Sequence, residues 1–350
     1  LRLFADDASV GVRTLNLSFR TTADRPWAAA GHEVALVQLL CQERTVPVLP
    51  RRIHPLSVSE KDGRYTVEVE EVRYVFDRPT GCLVSASVGG AEQLCEPVRP
   101  TVWRAPTDND RIIRQKWEAA GYRDALLYCD GLSLADIRED EAVFVCRQTL
   151  AGRGCLPALR LSVCCRVGSD GRLTVECRGE RREDAVFLPR FGFVFRMPQG
   201  TEDLRWFGCG PGEAYIDKRL ASRLGDFRST VSDQYIPYIK PQEHNSHKGC
   251  RAALVSHAAG RGLLFVGSDF SLSASRYSPE QLTAAAHDWE LVPEEETTVI
   301  IDYKMSGLGS GSCGPQLAPA YQLRETAFDF SFWIEPVIVG DTDFLAEMHR

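Results

Sequence analysis

No stretch of this sequence approaches the roughly 20 consecutive apolar residues that a membrane-spanning helix requires. Nor do lysines and arginines gather into the basic patch that a phosphate backbone demands; arginines alternate with carboxylates instead, as in "RGERRED", and the formal net charge is -7. These absences exclude a nucleic-acid partner and a membrane span, and with no charged-then-apolar leader in the first residues a soluble, cytoplasmic protein is expected. Cysteine is too sparse for a disulfide scaffold, at 12 in 350 residues, and no CxxC pair offers a zinc or redox site. Most cysteines lie inside apolar strand patterns. In "LSVCCRV", Cys164 and Cys165 point to opposite faces of a strand, and the set as a whole is expected to be reduced, small and buried.

Helical periodicity is also scarce. It is confined to "RQKWEAAGY" and "SPEQLTAAAH", where Ser278, Pro279 and Glu280 supply an N-cap, a proline at N1 and an acidic first turn. What fills the chain is period-two alternation, in "YTVEVEEVRYVF", "AVFVCRQTL", "LRLSVCCRV", "RLTVECRG", "VFLPRFGFVFRM", "ALVSHAAGRGLLFVG", "TTVIIDYKM" and "FDFSFWIEP". Short Gly, Asp and Pro punctuation ("KDG", "DRPTG", "GSDG", "PQG") favours hairpins over βαβ crossovers, so the fold class is all-β, a large antiparallel β-sandwich. Prolines and paired arginines in residues 44–57 read as a linker. Before it, residues 1–43 hold two strands, too few to stand alone. After it come one large domain over 58–337 and a tail over 338–350. The opening "LRLFADD" has no initiator methionine, and a longer polypeptide with its active part upstream is expected.

Four stretches are dense in polar and aromatic residues. In "WRAPTDND" Arg104 has the fork that clamps a carboxylate, and Asp108 or Asp110 the basicity to take a proton or hold a sugar hydroxyl. Proline followed by Thr-Asp-Asn-Asp is equally good turn chemistry, and a structural turn anchored by Trp103 is favoured. The glycines of "WFGCGPGEAYIDK" precede neither a helix nor a lysine-threonine pair, so they let an edge turn closely and leave Glu213 free to bond backbone or sugar. "QEHNSH" places Glu243, His244 and His247 together, a set suited to acid-base work; HxxH without a third spaced ligand is a weak zinc signal, and a hydrogen-bond network or sugar contact is preferred, with no metal. "GLGSGSCGP" reads as a mobile loop with little internal packing, carrying Ser312, Cys313 and Gly314.

In this order, "AGHEVALVQLL", "WRAPTDND", "WFGCGPGEAYIDK", "SDQYIPYIKPQEHNSH", "SASRYSPEQL" and "SCGPQLAPAYQL" resemble the C-terminal region of the multi-domain β-galactosidases of glycoside hydrolase family 2. The resemblance covers nearly all of the chain, up to about residue 336. It implies that residues 1–43 are the last strands of an immunoglobulin-like domain and that 58–337 form a galactose mutarotase-like β-supersandwich. It also implies that both catalytic carboxylates lie in a (β/α)8 barrel outside this chain, so that no catalytic residue is assigned here and the fragment alone is inactive. Cys313, Ser312 and Gly314 would form a loop walling the galactose subsite, with Cys313 standing where some members carry a stacking tryptophan. No cofactor is assigned to this chain; Mg and Na are left to the full-length enzyme, as are the β-galactoside substrate and a homo-oligomeric assembly. Two rival readings remain: a stand-alone carbohydrate-binding or mutarotase-like module using Glu243, His244 and His247, and a purely structural interface domain.

Overall fold

The computed structural model describes residues 11–44 and 53–348. Of the expected linker 44–57, residues 45–52 lie outside the described residues, and the strand Leu56–Lys61 begins within it. The described residues form two compact units. One contains residues 11–44 with the short helix Phe344–Glu347, and the other contains residues 53–342. No helix of the described chain is long and apolar enough to cross a membrane.

In the first unit the strands Gly11–Arg20 and Glu33–Arg44 pair antiparallel. Leu17 lies opposite Val37 and Leu15 opposite Leu39, so one face collects apolar side chains. Leu17, Phe19, Val37 and Leu39 are each more than two-fifths exposed, at 43%, 56%, 45% and 49%.

In the second unit a five-stranded antiparallel meander runs from Leu56–Lys61 to Ala91–Glu92. Its first hairpin turns on Asp62 and Gly63, with φ of +52° and +73°. A two-residue turn with both central φ positive matches the twist of the flanking strands, and this is what the "DG" of "KDG" encodes.

A 13-stranded sheet makes up the rest of the second unit. Its main path runs Ser133–Ile137, Glu141–Ala151, Leu159–Gly168, Leu173–Glu180, Ala327–Ile338, Arg261–Ser275, Ser246–His257, Thr201–Gly210, Arg223–Thr230. Off that path, Arg190–Met197 pairs with Thr297–Met305 and Arg99–Thr101. All these pairings are antiparallel, and each strand-like segment read from the sequence lies on one of these strands or a hairpin of them. The fold class is therefore the all-β sandwich architecture expected.

Alternation is plain in Leu159–Gly168 and Leu173–Glu180, whose side chains are buried at every second position. Their inner faces meet an aromatic layer in which Phe195 crosses Phe265 at 5.0 Å and Phe193 meets Phe332 at 5.6 Å. The two helical stretches form Ile113–Ala119 and Pro279–Ala284, the latter capped by Ser278 Oγ accepting from Gln281 N at 3.3 Å. The cysteines are all free, and Cys165 is buried where Cys164 is half-buried. Burial does not extend to the whole set, because Cys41, Cys95 and Cys313 are exposed on strand, loop and loop tip.

Candidate functional site

"WRAPTDND" is a turn, and its arginine is the most deeply buried part of it. Arg104 has no exposed surface. Its Nη2 donates to both carboxylate oxygens of Asp110 at 3.0 Å and to Gly307 O at 3.0 Å, and Nη1 donates to Ser306 O. Asp110 Oδ2 also accepts from Thr107 N at 2.9 Å and Thr107 Oγ1 at 3.1 Å, which closes the single turn Asp108–Asp110. Of the two aspartates offered by the sequence, Asp108 is not the one that ties the turn. Asp108 is exposed and bonds through its backbone, its N–H donating to Gln242 Oε1 at 3.1 Å and its carbonyl accepting from Arg111 N at 3.4 Å, and the buried carboxylate is that of Asp110, two residues on. The turn thus joins two of the other stretches: Ala105 O accepts from Glu243 N at 3.0 Å, and Arg104 holds the start of the glycine-serine loop.

Behind Glu243 lies a second buried arginine that the sequence reading did not single out. Arg190 donates from Nε to Asp302 Oδ1 at 2.9 Å and from Nη2 to Oδ2 at 2.5 Å, while its Nη1 stands 3.5 Å from Glu243 Oε2. The other Glu243 oxygen accepts from Tyr215 Oη at 3.2 Å. The two-pronged pair lies across neighbouring strands, and Gly192 makes room for it: a Cβ there would stand 2.3 Å from Asp302 Oδ1. Burial pushes the Asp302 carboxyl up to about 6 against the pull of Arg190, and it raises Glu243 against Arg190 and Arg104. For Arg190 burial acts downward, but Asp302 and Glu243 more than offset it and the guanidinium is raised. A carboxylate so enclosed and so partnered holds structure and has no open side for a substrate.

Glu213 belongs to the outer edge of the same network. Its Oε2 accepts from Asn245 N at 2.9 Å, and its Oε1 accepts from Lys218 Nζ and from Tyr238 Oη at 3.2 Å. The two imidazoles diverge. His244 Nδ1 lies 2.9 Å from Gln242 O with its ring edge-on to Tyr235, whereas His247 stacks on Trp206 at 4.1 Å with Nε2 3.0 Å from Gln234 Oε1. Burial lowers both, His247 to about 4, so both are neutral at pH 7. Among the described residues no three His, Cys, Asp or Glu side chains converge so as to hold a metal ion.

The glycine-serine loop is fastened at its root. Asp217 accepts from Leu308 N at 3.0 Å and Gly309 N at 2.8 Å, and Asn109 donates to Gly309 O at 2.6 Å while accepting from Ser312 N at 3.1 Å. Where composition alone predicts little packing, side chains from two other stretches hold the backbone. The tip is closed by Gly314 N donating to Ser310 O at 2.7 Å, and Ser312, Cys313 and Gly314 are all exposed on it.

The structure therefore brings Arg104, Glu213, Glu243 and His244 together around residues 242–245, sets His247 apart against Trp206 and Gln234, leaves the Asp108 side chain exposed, and places Cys313 at the end of a loop whose root Asp217 and Asn109 hold. Arg190, Asp302 and Asp217 were missed. A signal existed for two of them, because Arg190 and Asp302 are the charged positions that interrupt apolar runs in "LPRFGF" and "VIIDY".

The sequence profile of the family described as beta galactosidase small chain matches residues 68–334. A β-galactosidase of Actinobacillus pleuropneumoniae is 32% identical over 324 residues, which cover 91% of this chain and 31% of that protein. A β-galactosidase of Staphylococcus xylosus is 34% identical over 276 residues, 79% of this chain and 28% of that protein. The chain thus spans about a third of the length of the curated relatives it matches. Among solved structures, galactose 1-epimerase from Lactobacillus acidophilus NCFM is similar at a TM-score of 0.41 and 10% identity, covering 82% of this chain and 99% of that one.

Proposed function

The chain belongs to the β-galactosidase small-chain family, and from that premise we propose that it is the accessory domain of a retaining β-galactosidase acting on terminal β-D-galactosides such as lactose. Its part is to hold the loop of residues 307–315 against the galactose subsite. The two carboxylates that break the glycosidic bond, one as nucleophile and one as acid-base, belong to the longer polypeptide, and this chain alone is inactive. With that longer protein we also place the Mg and Na cofactors, the homo-oligomeric assembly and the cytoplasmic location.

The observation that carries the reading is the mounting of the loop. Four hydrogen bonds from Asp217 and Asn109 fix its root while Ser312, Cys313 and Gly314 stay exposed. A wall of this kind acts by position and by excluding water from the sugar. Cys313 offers no aromatic face, so its contribution is closure and not stacking. Weighing against the stand-alone mutarotase-like reading, Glu243 and both histidines are buried and already engaged, which leaves a sugar nothing to approach.

The test is kinetic and uses the longer polypeptide. Asn109→Ala should raise KM for lactose about two- to tenfold with a smaller change in kcat, because it loosens the mount without touching the reacting atoms. Cys313→Ala should alter KM modestly and leave the fold intact. Unchanged KM in both variants, or chromogenic galactoside turnover by the purified 350-residue chain that survives removal of host enzyme, would overturn the proposal.

A further inference from the structure

A groove that touches the four stretches only at Trp103 has no part in this reading. It runs between the five-stranded meander and the strand Leu126–Cys129, and it consists of two depressions of about 500 Å³ and 430 Å³ that share Pro97 and Arg99 as a common wall. Both volumes lie in the range of small-molecule sites.

The lining of the larger depression is unusual in being uncommitted. Arg64 and Arg99 are exposed, and among the described residues neither makes a side-chain hydrogen bond or an ion pair. Tyr128 is 52% exposed with its hydroxyl likewise unengaged, and Leu126 beside it is 40% exposed. Asp77 completes the set, its carboxylate turned to the Thr80 hydroxyl at 2.5 Å. The smaller depression continues past Arg99 with Arg123 and Glu280 on its rim. Of its arginines, Arg123 stands 3.6 Å from Glu118, and Arg196 is engaged by Glu294, Glu296 and Glu96.

We propose that this groove is a second carbohydrate-binding site, for a neutral oligosaccharide of two or three units, separate from the galactose subsite. A half-exposed ring with an apolar neighbour suits the C–H face of a pyranose, since the negative ring face attracts its positive hydrogens. Guanidinium forks and a carboxylate set around such a ring supply donors and an acceptor for equatorial hydroxyls. The charge balance decides against an anion. Asp77, Glu96, Glu280 and Glu294 match Arg64, Arg99, Arg123 and Arg196 in number across the two depressions, so a phosphate gains no net positive field there, where a neutral polyol finds both donors and acceptors.

The proposal is tested by calorimetry on the full chain with lactose, β-1,4-galactotriose, cellotriose and maltotriose, and with inorganic phosphate as the charged probe. At least one trisaccharide should bind in the millimolar range or tighter. Tyr128→Ala and Arg99→Ala should each weaken it by about fivefold or more, with the melting temperature unchanged because both side chains are at the surface. Cys313→Ala should leave the affinity unaltered, which separates this site from the loop and lets it fail independently of the function proposed above. Failure of every neutral sugar to bind at about 10 mM, phosphate binding in preference to sugar, or sugar binding indifferent to Tyr128→Ala would each overturn it.

Discussion

Replacing Arg104 by alanine removes a charge with no exposed surface and strands three partners at once. Asp110 loses both contacts to Nη2 at 3.0 Å, and the carbonyls of Ser306 and Gly307 lose their donors. Breaking a buried ion pair from one side costs about 3–5 kcal/mol, because the remaining charge stays desolvated. Each stranded carbonyl adds on the order of 1 kcal/mol or more, but these terms overlap, and water entering the vacated space relieves part of them. The expected loss is therefore about 3–5 kcal/mol. Asp110→Asn, which keeps the shape and leaves Arg104 unpaired, should cost a comparable amount, whereas Asp108→Ala should stay within about 0.5 kcal/mol because that side chain is exposed. Urea denaturation reads all three from the midpoint at constant slope, and the double variant of Arg104 and Asp110 should be clearly less damaging than the sum of the single ones. An Arg104→Ala protein within about 1 kcal/mol of the parent, yet unable to support turnover in the longer polypeptide, would mean that this arginine faces a ligand and the structural account is wrong.

Two further outcomes follow from burial and exposure. His247 is held neutral, its ordinary value of 6.5 lowered to about 4, so its contribution is full above pH 6.5 and is lost as pH falls toward 4, by about 3 kcal/mol. His247→Gln should flatten that part of the stability-against-pH curve, and an unchanged slope would show that other groups carry the acid limb. The apolar face of the strand pair Gly11–Arg20 and Glu33–Arg44 should drive concentration-dependent association of the chain. Sedimentation of a Leu17→Lys, Phe19→Lys variant should show it abolished; association that persists would place the sticky surface elsewhere.

Much of the sheet was legible because alternation is a local signal. Leu159–Gly168 buries every second side chain, and "KDG" encodes a turn that only positive φ can make. The cap of Pro279–Ala284 was readable for the same reason. Partnership across the sheet was not. Arg190 finds Asp302 at 112 residues' separation, a pairing decided by strand order that composition does not record. Within "WRAPTDND" the local pattern offered two aspartates, and the turn geometry alone decides that Asp110 points inward. The loop of residues 307–315 shows the same limit, since its composition predicts freedom while its fastening comes from Asp217 and Asn109, both distant in sequence.

The position of Ala327–Ile338 in the middle of the large sheet, between Leu173–Glu180 and Arg261–Ser275, bears on how the chain comes off the ribosome. Both neighbours are synthesised well before the strand that joins them. Roughly 150 residues separate Glu180 from Ala327, an interval of several seconds to tens of seconds at about 5–20 residues per second. Throughout it the edge of Leu173–Glu180, joined late in the interval by that of Arg261–Ser275, presents a row of unpaired N–H and C=O groups beside an apolar face, the combination that recruits a foreign strand. Closure over such a sequence distance also makes folding slow after release. A truncation before Ala327 would therefore yield two open half-sheets prone to pairing between molecules, and not a smaller domain.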